Sequence, residues 1–215
     1  VEPIVQYLIE ADNGRIQAHH LAWDVSEEEW FSVHEDERQP GDWGHWTGRG
    51  MNWNSQCAVC HVTGFQKGYQ REQDAYQSDS DELGVGCLAC HTDGAAHAAS
   101  PHEKPLPVTE HQCAACHAER SQLLEQPDQS YSIHDNYLFR MPDLSSGWFP
   151  TGQAKDEVFE WASFTGSAMH AAGVGCHDCH EPHSGRLLRQ GDLLCTECHG
   201  DTAPLQMGHD HHQGT

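Results

Sequence analysis

The stretch Cys57-Ala-Val-Cys60-His61 decides the architecture of this chain, because its pattern recurs four more times. All ten cysteines fall into pairs separated by two residues, and a histidine directly follows each pair. The other copies are Cys87-Leu-Ala-Cys90-His91, Cys113-Ala-Ala-Cys116-His117, Cys176-His177-Asp178-Cys179-His180 and Cys195-Thr-Glu-Cys198-His199. This pattern is the attachment signature of c-type haem, because two thiols add to the porphyrin vinyl groups and the adjacent imidazole reaches the iron. The sequence therefore predicts five covalently attached haems.

Three other uses of paired cysteines explain this pattern less well. Five disulfides in a secreted scaffold would need no histidine after each pair. A zinc ribbon would combine Cys57/Cys60 with Cys87/Cys90 in one four-thiolate site, and a thioredoxin-like motif explains a single pair. Histidine occupies 19 of 215 positions, so its chance placement after all five pairs is on the order of a few in a million.

The composition indicates an interior that aliphatic side chains do not supply. Only 37% of the residues are hydrophobic, whereas the chain has 19 histidines, 7 tryptophans and 20 glycines. A chain of 215 residues normally buries a sizeable aliphatic core. We therefore predict a multihaem cytochrome c built around a haem core, mainly α with much irregular loop and a small N-terminal β-sheet.

The charge of the chain excludes some partners. The 33 acidic and 11 basic residues give a net charge of −22 with neutral histidine. A surface this negative repels phosphate backbones and anionic lipids, so nucleic-acid binding is excluded. The acidic residues are spread along the chain, which favours a solvated surface over docking to a basic partner. The salt dependence of any association with a partner would distinguish these two interpretations. No run of 18 or more apolar residues occurs, so no integral membrane segment is predicted.

Residues 1–56 carry no haem motif and are predicted to be rich in β-structure and tryptophan. The apolar run Ile4–Ile9, the turn signal Asn13-Gly14 and the segment Arg15–Trp23 predict a hairpin, with Trp30–His34 as a third strand. In the loop that follows, three tryptophans are expected to pack on porphyrin. They are Trp43, Trp46 and Trp53.

Residues 57–200 form the predicted pentahaem-binding region, in which the first cysteines of successive motifs lie 30, 26, 63 and 19 residues apart. Within the 63-residue interval, Ser121–Glu125 is predicted to continue a helix, Met141–Pro150 to form a loop and Asp156–Ala171 to form a helix. Residues 201–215 are predicted to be a flexible tail of acidic residues and histidines, more typical of disorder than of ligation.

The histidine that closes each motif is the predicted proximal ligand, and these are His61, His91, His117, His180 and His199. Fourteen histidines remain, and we expect five of them to be distal ligands, because bis-His iron transfers electrons without an open substrate site. Local context favours His45, His97, His134, His170 and His183, with His111 and His102 as substitutes for His134. Methionine is the rival ligand and would raise the potential of its haem. The four methionines are Met51, Met141, Met169 and Met207.

Two longer segments resemble bacterial multihaem cytochromes of the cytochrome c-554-like group, some of which carry tetratricopeptide repeats. One runs from Gln6-Tyr-Leu-Ile-Glu through His45-Trp-Thr-Gly-Arg to the first motif, and the other from Ala162 to Gly185. The resemblance implies that His97 and His183 occupy positions of distal ligands. Relatives usually have a further Cys-x-x-Cys-His upstream. Because no signal-peptide pattern begins at Val1, either a signal peptide was cleaved or the chain begins inside a longer precursor, and we favour the second alternative.

The expected function is electron transfer along a chain of closely packed haems, with residues that bind cofactors and perform no bond chemistry. Covalent haem attachment takes place outside the bacterial inner membrane, so a periplasmic or extracellular location is expected. Redox proteins or further copies of the chain are the expected partners, in a soluble shuttle, a homo-oligomer or an extracellular filament. The alternative is a multihaem reductase of nitrite, hydroxylamine or a sulfur oxyanion, which needs one iron with an open distal position.

Overall fold

The computed structural model contains eight short helices and three small antiparallel sheets within the part of the chain that it describes. The described residues are 4–34, 37–91, 94–100, 102, 108–124, 127, 132–142, 147–150, 155 and 159–200. The strands are β1 Ile4–Glu10, β2 Ile16–Asp24, β3 Glu29–Ser32, β4 Tyr69–Gln70, β5 Ala75–Tyr76, β6 Arg120–Gln122 and β7 Tyr137–Phe139. The helices are α1 Trp53–Gln56, α2 Ala58–His61, α3 Gly94–Ala99, α4 Glu110–His117, α5 Ile133–Asn136, α6 Glu160–Thr165, α7 Ala168–Ala171 and α8 Leu193–His199.

The chain divides into two compact units, Val1–Arg140 and Met141–Thr215. This division follows contacts within the structure. The predicted segments 1–56, 57–200 and 201–215 instead follow the positions of the haem motifs, and they stay a prediction. The predicted histidine-rich tail, with His209, His211, His212 and the rival ligand Met207, lies outside the described residues.

The predicted N-terminal sheet is confirmed, with the strand order β1-β2-β3. Its first turn has positive φ at Asn13 (59°) and Gly14 (70°), the combination that a tight hairpin requires. A Cβ atom at Gly14 would lie 2.2 Å from the carbonyl oxygen of Tyr76, so this glycine also permits the close approach of strand β5. The ring of Trp30 stacks on Tyr7 at 5.6 Å and meets the edge of Trp23 at 5.3 Å.

A buried asparagine fixes the first motif against strand β2. Asn54, in α1, is 2% exposed; its Oδ1 accepts the Ile16 N–H at 2.7 Å. Its Nδ2 donates to the Gly14 carbonyl at 3.2 Å and to the Ser78 hydroxyl at 3.0 Å. Asn52 caps the same helix by accepting the Ser55 N–H at 3.0 Å. These bonds hold α1, and with it the start of the first motif, at a defined place on the sheet.

One predicted helix is wrong, and another is interrupted. Ser121 and Gln122, predicted to continue a helix over Ser121–Glu125, lie instead in strand β6, which pairs with β7. The helix does not continue because α4 ends at His117 and the backbone of Ala118 is extended. Glu125 lies outside the described residues. The predicted helix Asp156–Ala171 is divided into α6 and α7. The break occurs because Ser167 has an extended backbone and its hydroxyl caps α7 by accepting the His170 N–H at 3.2 Å. Residues 156–158 lie outside the described residues, as do 143–146 of the predicted loop.

The described part of the chain is a mixed α/β structure rather than a mainly helical one. Its elements are short, and irregular segments connect them as predicted. The buried apolar residues among those described are few, and six of the ten are alanines. They are Ala18, Ala22, Ala58, Val62, Ala114, Ala118, Ile133, Tyr137, Trp148 and Ala162. An interior poor in large aliphatic side chains is what the composition predicts.

Candidate haem-binding sites

Each cysteine pair lies on a single helical turn. The first, third and fifth motifs lie at or within α2, α4 and α8. The second begins with the 3₁₀ turn Cys87–Ala89, and the fourth with the 3₁₀ turn Cys176–Asp178. In the fourth motif, the N–H groups of Cys179 and His180 both donate to the Cys176 carbonyl, at 3.2 and 2.9 Å. Residues three apart share one face of such a turn, so both thiols of each pair can reach one porphyrin.

The closing histidine of the fourth motif has one ring nitrogen in contact with the backbone. The Nδ1 atom of His180 lies 3.1 Å from the Gly185 carbonyl oxygen, which can only accept, so Nδ1 carries the proton. Nε2 is then the nitrogen with a lone pair for iron. In metal-binding histidines, the ring nitrogen that does not bind the metal commonly donates a hydrogen bond to a backbone carbonyl, which fixes the tautomer in this way.

The structure lends no support to the alternative uses of the cysteines. All ten cysteines are described, and none is paired in a disulfide. Within the described part of the chain, no three histidine, cysteine or acidic side chains are arranged so that they could hold a metal ion. Among the described residues, Cys57, Cys60, Cys87 and Cys90 therefore do not come together as a four-thiolate site. Paired thiols, each pair with its own histidine, fit the donor set that a c-type haem uses.

Three of the five motifs meet around one cavity in the Val1–Arg140 unit. This cavity, here called the attachment cavity, has a volume of about 310 Å³. It is lined by residues of the first motif (Val59, Cys60), the second (Leu88, Ala89) and the third (Ala115, Cys116). The motifs are far apart in sequence, so the fold itself brings their attachment turns together.

The second cysteines of the first and third motifs are in direct contact. A hydrogen bond from the Cys116 thiol and the nearby Arg120 guanidinium lower the pKa of Cys60 to about 7. The same contact, together with burial, raises the pKa of Cys116. Arg120 Nη2 lies 3.7 Å from Cys60 Sγ, and its guanidinium lies 3.9 Å from the centre of the Tyr137 ring. A single arginine thus places positive charge beside two attachment cysteines.

The fourth and fifth motifs are neighbours in the Met141–Thr215 unit. Burial is the main cause that raises the pKa of the Cys179 thiol. Negative charge on Asp178 and on Cys198 and Cys195 of the fifth motif raises it further. The attachment turns of this unit therefore lie within electrostatic reach of one another.

The predicted distal ligands are distributed over both units. His45 lines a second cavity, whereas His97 lies in α3 and His134 lies in α5 with its ring 5.4 Å from Phe139. His170 lies in α7 with its ring 5.3 Å from Phe164, and His183 Nδ1 lies 3.0 Å from Glu181 Oε1. Apart from His45, none of these histidines lines either of the two cavities. Their role as iron ligands stays a prediction.

Two histidines that the sequence analysis did not select lie beside His45. His20 on β2 and His34 after β3 line the second cavity, here called the histidine cavity, together with Trp46. The sequence does carry one signal for them, the adjacent pair His19-His20 in a predicted strand. Successive side chains of a strand point to opposite faces, so one member of such a pair must face inwards.

Residues 17–92 match the family described as cytochrome c554 and c-prime, and this segment includes the first two motifs. Comparison with curated proteins gives no match. The fold is similar to that of the outer cell wall cytochrome OcwA, with a TM-score of 0.55 and 20% identity over 90% of this chain and 48% of OcwA. An undecahaem cytochrome from the S-layer of Carboxydothermus ferrireducens has a TM-score of 0.42 and 20% identity, over 91% of this chain and 35% of that one. The chain therefore spans less than half the length of either protein.

Five Cys-x-x-Cys-His motifs, together with the family match over residues 17–92, are the features of a multihaem c-type cytochrome. Proteins of this class hold their haem covalently through cysteine thioethers. The predicted resemblance to the cytochrome c-554-like group is confirmed over residues 17–92. For the second segment, Ala162 to Gly185, the resemblance stays a prediction.

Proposed function

We propose that the chain is an electron-transfer cytochrome that carries five haems, one on each Cys-x-x-Cys-His motif. The observation that carries this proposal is the meeting of three attachment turns around the attachment cavity, with Cys60 in contact with Cys116. Each haem iron supplies a one-electron Fe³⁺/Fe²⁺ couple. Cysteines that touch would hold their porphyrins side by side, which favours transfer of electrons over chemistry at an isolated iron.

The residues that would hold the haems divide into three groups by role. The thioether bonds would come from Cys57, Cys60, Cys87, Cys90, Cys113, Cys116, Cys176, Cys179, Cys195 and Cys198. The proximal ligands would be His61, His91, His117, His180 and His199. The distal ligands would be His45, His97, His134, His170 and His183. The polypeptide contributes ligation, burial and the local charge that sets each potential.

The attachment turns suggest an order of transfer that differs from the order of motifs in the sequence. Contact between Cys60 and Cys116 would make the first and third haems neighbours, and the second haem would adjoin both through the same cavity. The fourth and fifth haems would be a second set of neighbours within their own unit. Electrons would therefore pass within each set over short distances.

We further propose that the protein acts outside the cytoplasmic membrane and exchanges electrons with redox proteins or with copies of itself. Covalent haem attachment takes place on that side, and the name of OcwA places that cytochrome in the outer cell wall. None of the described helices has the length and apolarity that crossing a membrane requires. Strand β1 exposes Ile4, Val5, Tyr7 and Leu8 to solvent, which offers an apolar edge to an assembly such as a filament.

The spin state of iron in the oxidised protein tests this function against the reductase alternative. Near-infrared magnetic circular dichroism of the haem-loaded chain should show low-spin iron throughout, with two axial ligands on each haem. High-spin iron equal to one haem in five would instead indicate an open distal position and would favour the multihaem reductase. A stepwise redox titration should then resolve several one-electron couples without added substrate.

A further inference from the structure

A carboxylate on the turn after the fourth motif contacts a predicted distal ligand. Glu181 directly follows His180, the closing histidine of that motif, and His183 lies two residues further along the chain. The Nδ1 atom of His183 lies 3.0 Å from Oε1 of Glu181. A carboxylate oxygen can only accept, so Nδ1 of the neutral ring carries the proton and Nε2 has the lone pair. The contact therefore leaves His183 in the tautomer in which Nε2 can bind iron.

Backbone hydrogen bonds hold the same carboxylate in place. The His183 N–H donates to Oε1 at 3.2 Å, and the Ser184 N–H donates to Oε2 at 2.8 Å. Two main-chain bonds of 2.8 Å close the turn, one from the Gly185 N–H to the Glu181 carbonyl and one from the Glu181 N–H to the Arg186 carbonyl. The position of the carboxylate is therefore set by the turn, and the ring of His183 is set by the carboxylate.

The same turn orients the predicted proximal ligand through a different acceptor. The Nδ1 atom of His180 faces the neutral carbonyl of Gly185, whereas the Nδ1 atom of His183 faces a charged carboxylate. Hydrogen bonds to an ionised acceptor are stronger than those to a neutral one. A hydrogen-bonded acceptor makes a ligating imidazole more basic, so His183 should be the more basic of the two ligands.

The exposure of the pair indicates that stability of the fold does not account for it. The side chain of His183 is 84% exposed and that of Glu181 is 42% exposed. An ion pair at this exposure contributes only about 0–1 kcal/mol to the free energy of unfolding. An exposed ring held in one tautomer is instead open to a porphyrin that approaches it.

We propose that Glu181 is a positioning residue for His183 as a distal haem ligand. Its carboxylate accepts the Nδ1–H of His183, keeps Nε2 available for iron and lowers the potential of that haem. The potential falls because a more basic ligand stabilises ferric iron more than ferrous iron. This inference deepens the proposed function and rests on it, since His183 is one of the distal ligands proposed there.

The size of the effect follows from the role of such outer partners. Removing the hydrogen-bond partner of a ligating histidine changes metal affinity by about 10–100-fold. A tenfold loss of affinity for the ferric form corresponds to a rise of about 59 mV in a one-electron couple. Glu181→Gln should therefore raise the potential of one haem by about this amount.

The test is a redox titration of the haem-loaded Glu181→Gln chain, with Asp192→Asn as the matched control. Asp192 is exposed, lies three residues before Cys195 and makes no side-chain capping bond to α8. Its replacement removes one negative charge near an attachment motif. Glu181→Gln should keep all haems low-spin in near-infrared magnetic circular dichroism, because the glutamine oxygen can still accept from Nδ1. A rise in potential no larger than that in Asp192→Asn would overturn the proposal.

The His183→Met background separates positioning from the effect of charge alone. Methionine offers no ring N–H to Glu181, so Glu181→Gln in that background should raise no potential by more than Asp192→Asn does. An equal rise in both backgrounds would show that Glu181 acts only through its charge, and would overturn the proposal. Failure of the proposed function would be seen in the unmutated chain, as fewer than five haems or as high-spin iron, and is thus distinguishable from failure of this inference.

Discussion

Arg120 provides the sharpest test of how the first and third motifs are held together. Its guanidinium lies over the Tyr137 ring at 3.9 Å and beside Cys60 Sγ at 3.7 Å, and its Nε donates to the Ala115 carbonyl. These contacts join strands β6 and β7 to both attachment turns. We therefore predict that Arg120→Gln lowers both the stability of the protein and the potential of a neighbouring haem.

The loss of stability follows from the contacts that glutamine cannot replace. A hydrogen bond from a charged donor contributes about 1.5–3 kcal/mol. A partly buried cation–π contact contributes about 1–2 kcal/mol. Because such contributions are not fully additive, the free energy of unfolding should fall by about 3 kcal/mol in Arg120→Gln. The potential should fall because positive charge disfavours the more positive ferric form, and removing the charge relieves that effect.

Arg140→Gln is the matched control, because it removes an arginine from the same hairpin at an exposed position. Arg140 pairs with Glu119, and its side chain is 47% exposed. An exposed ion pair contributes about 0–1 kcal/mol. Urea unfolding of the haem-loaded variants, followed by far-ultraviolet circular dichroism, measures the change in stability, and a redox titration measures the change in potential. Equal shifts of the midpoint in the two variants would refute the role assigned to Arg120.

Three other predictions concern the sheet, acid stability and a distal ligand. Asn54→Ala should lower the free energy of unfolding by about 3 kcal/mol in urea unfolding, because it removes three hydrogen bonds of about 1 kcal/mol each; a loss below 1 kcal/mol would contradict this. Hydrogen bonds from Tyr69 and Arg15 lower the pKa of Asp74 in the folded protein. The contribution of Asp74 to stability should therefore be complete above the ordinary aspartate pKa. It should vanish as the pH falls through the lowered pKa of the folded protein. As the pH falls, Asp74→Asn should lose less stability than the unmutated chain in an acid titration. Identical titration profiles for the two proteins would argue against this role of Asp74. His183→Met should raise the potential of one haem in a redox titration while the haem count is unchanged; unchanged potentials would make His183 a surface residue.

Local patterns made the motifs and the N-terminal sheet predictable. The Asn13-Gly14 turn determines the first hairpin through backbone conformations that only a few residues adopt. The cysteine spacing places both thiols on one turn whatever surrounds them. These features depend on residues within a few positions of one another, so they can be predicted from the sequence alone.

Contacts between distant segments account for what the sequence did not reveal. Strand β6 forms where a helix was predicted, because it pairs with β7 from beyond the next helix. The contact between Cys60 and Cys116 joins the first motif to the third, although spacing alone makes the second motif the nearer neighbour. The sequence did not reveal the cavity shared by His20, His34 and His45, because it forms between segments that are distant in the chain.

The number of covalently attached haems tests the central claim most directly. A pyridine haemochrome assay on the purified chain, normalised to the 24.0 kDa polypeptide, measures it without reference to any ligand or partner. We expect five haems per chain, and four in the double variant Cys113→Ala/Cys116→Ala. Four or fewer haems in the unmutated chain would contradict it.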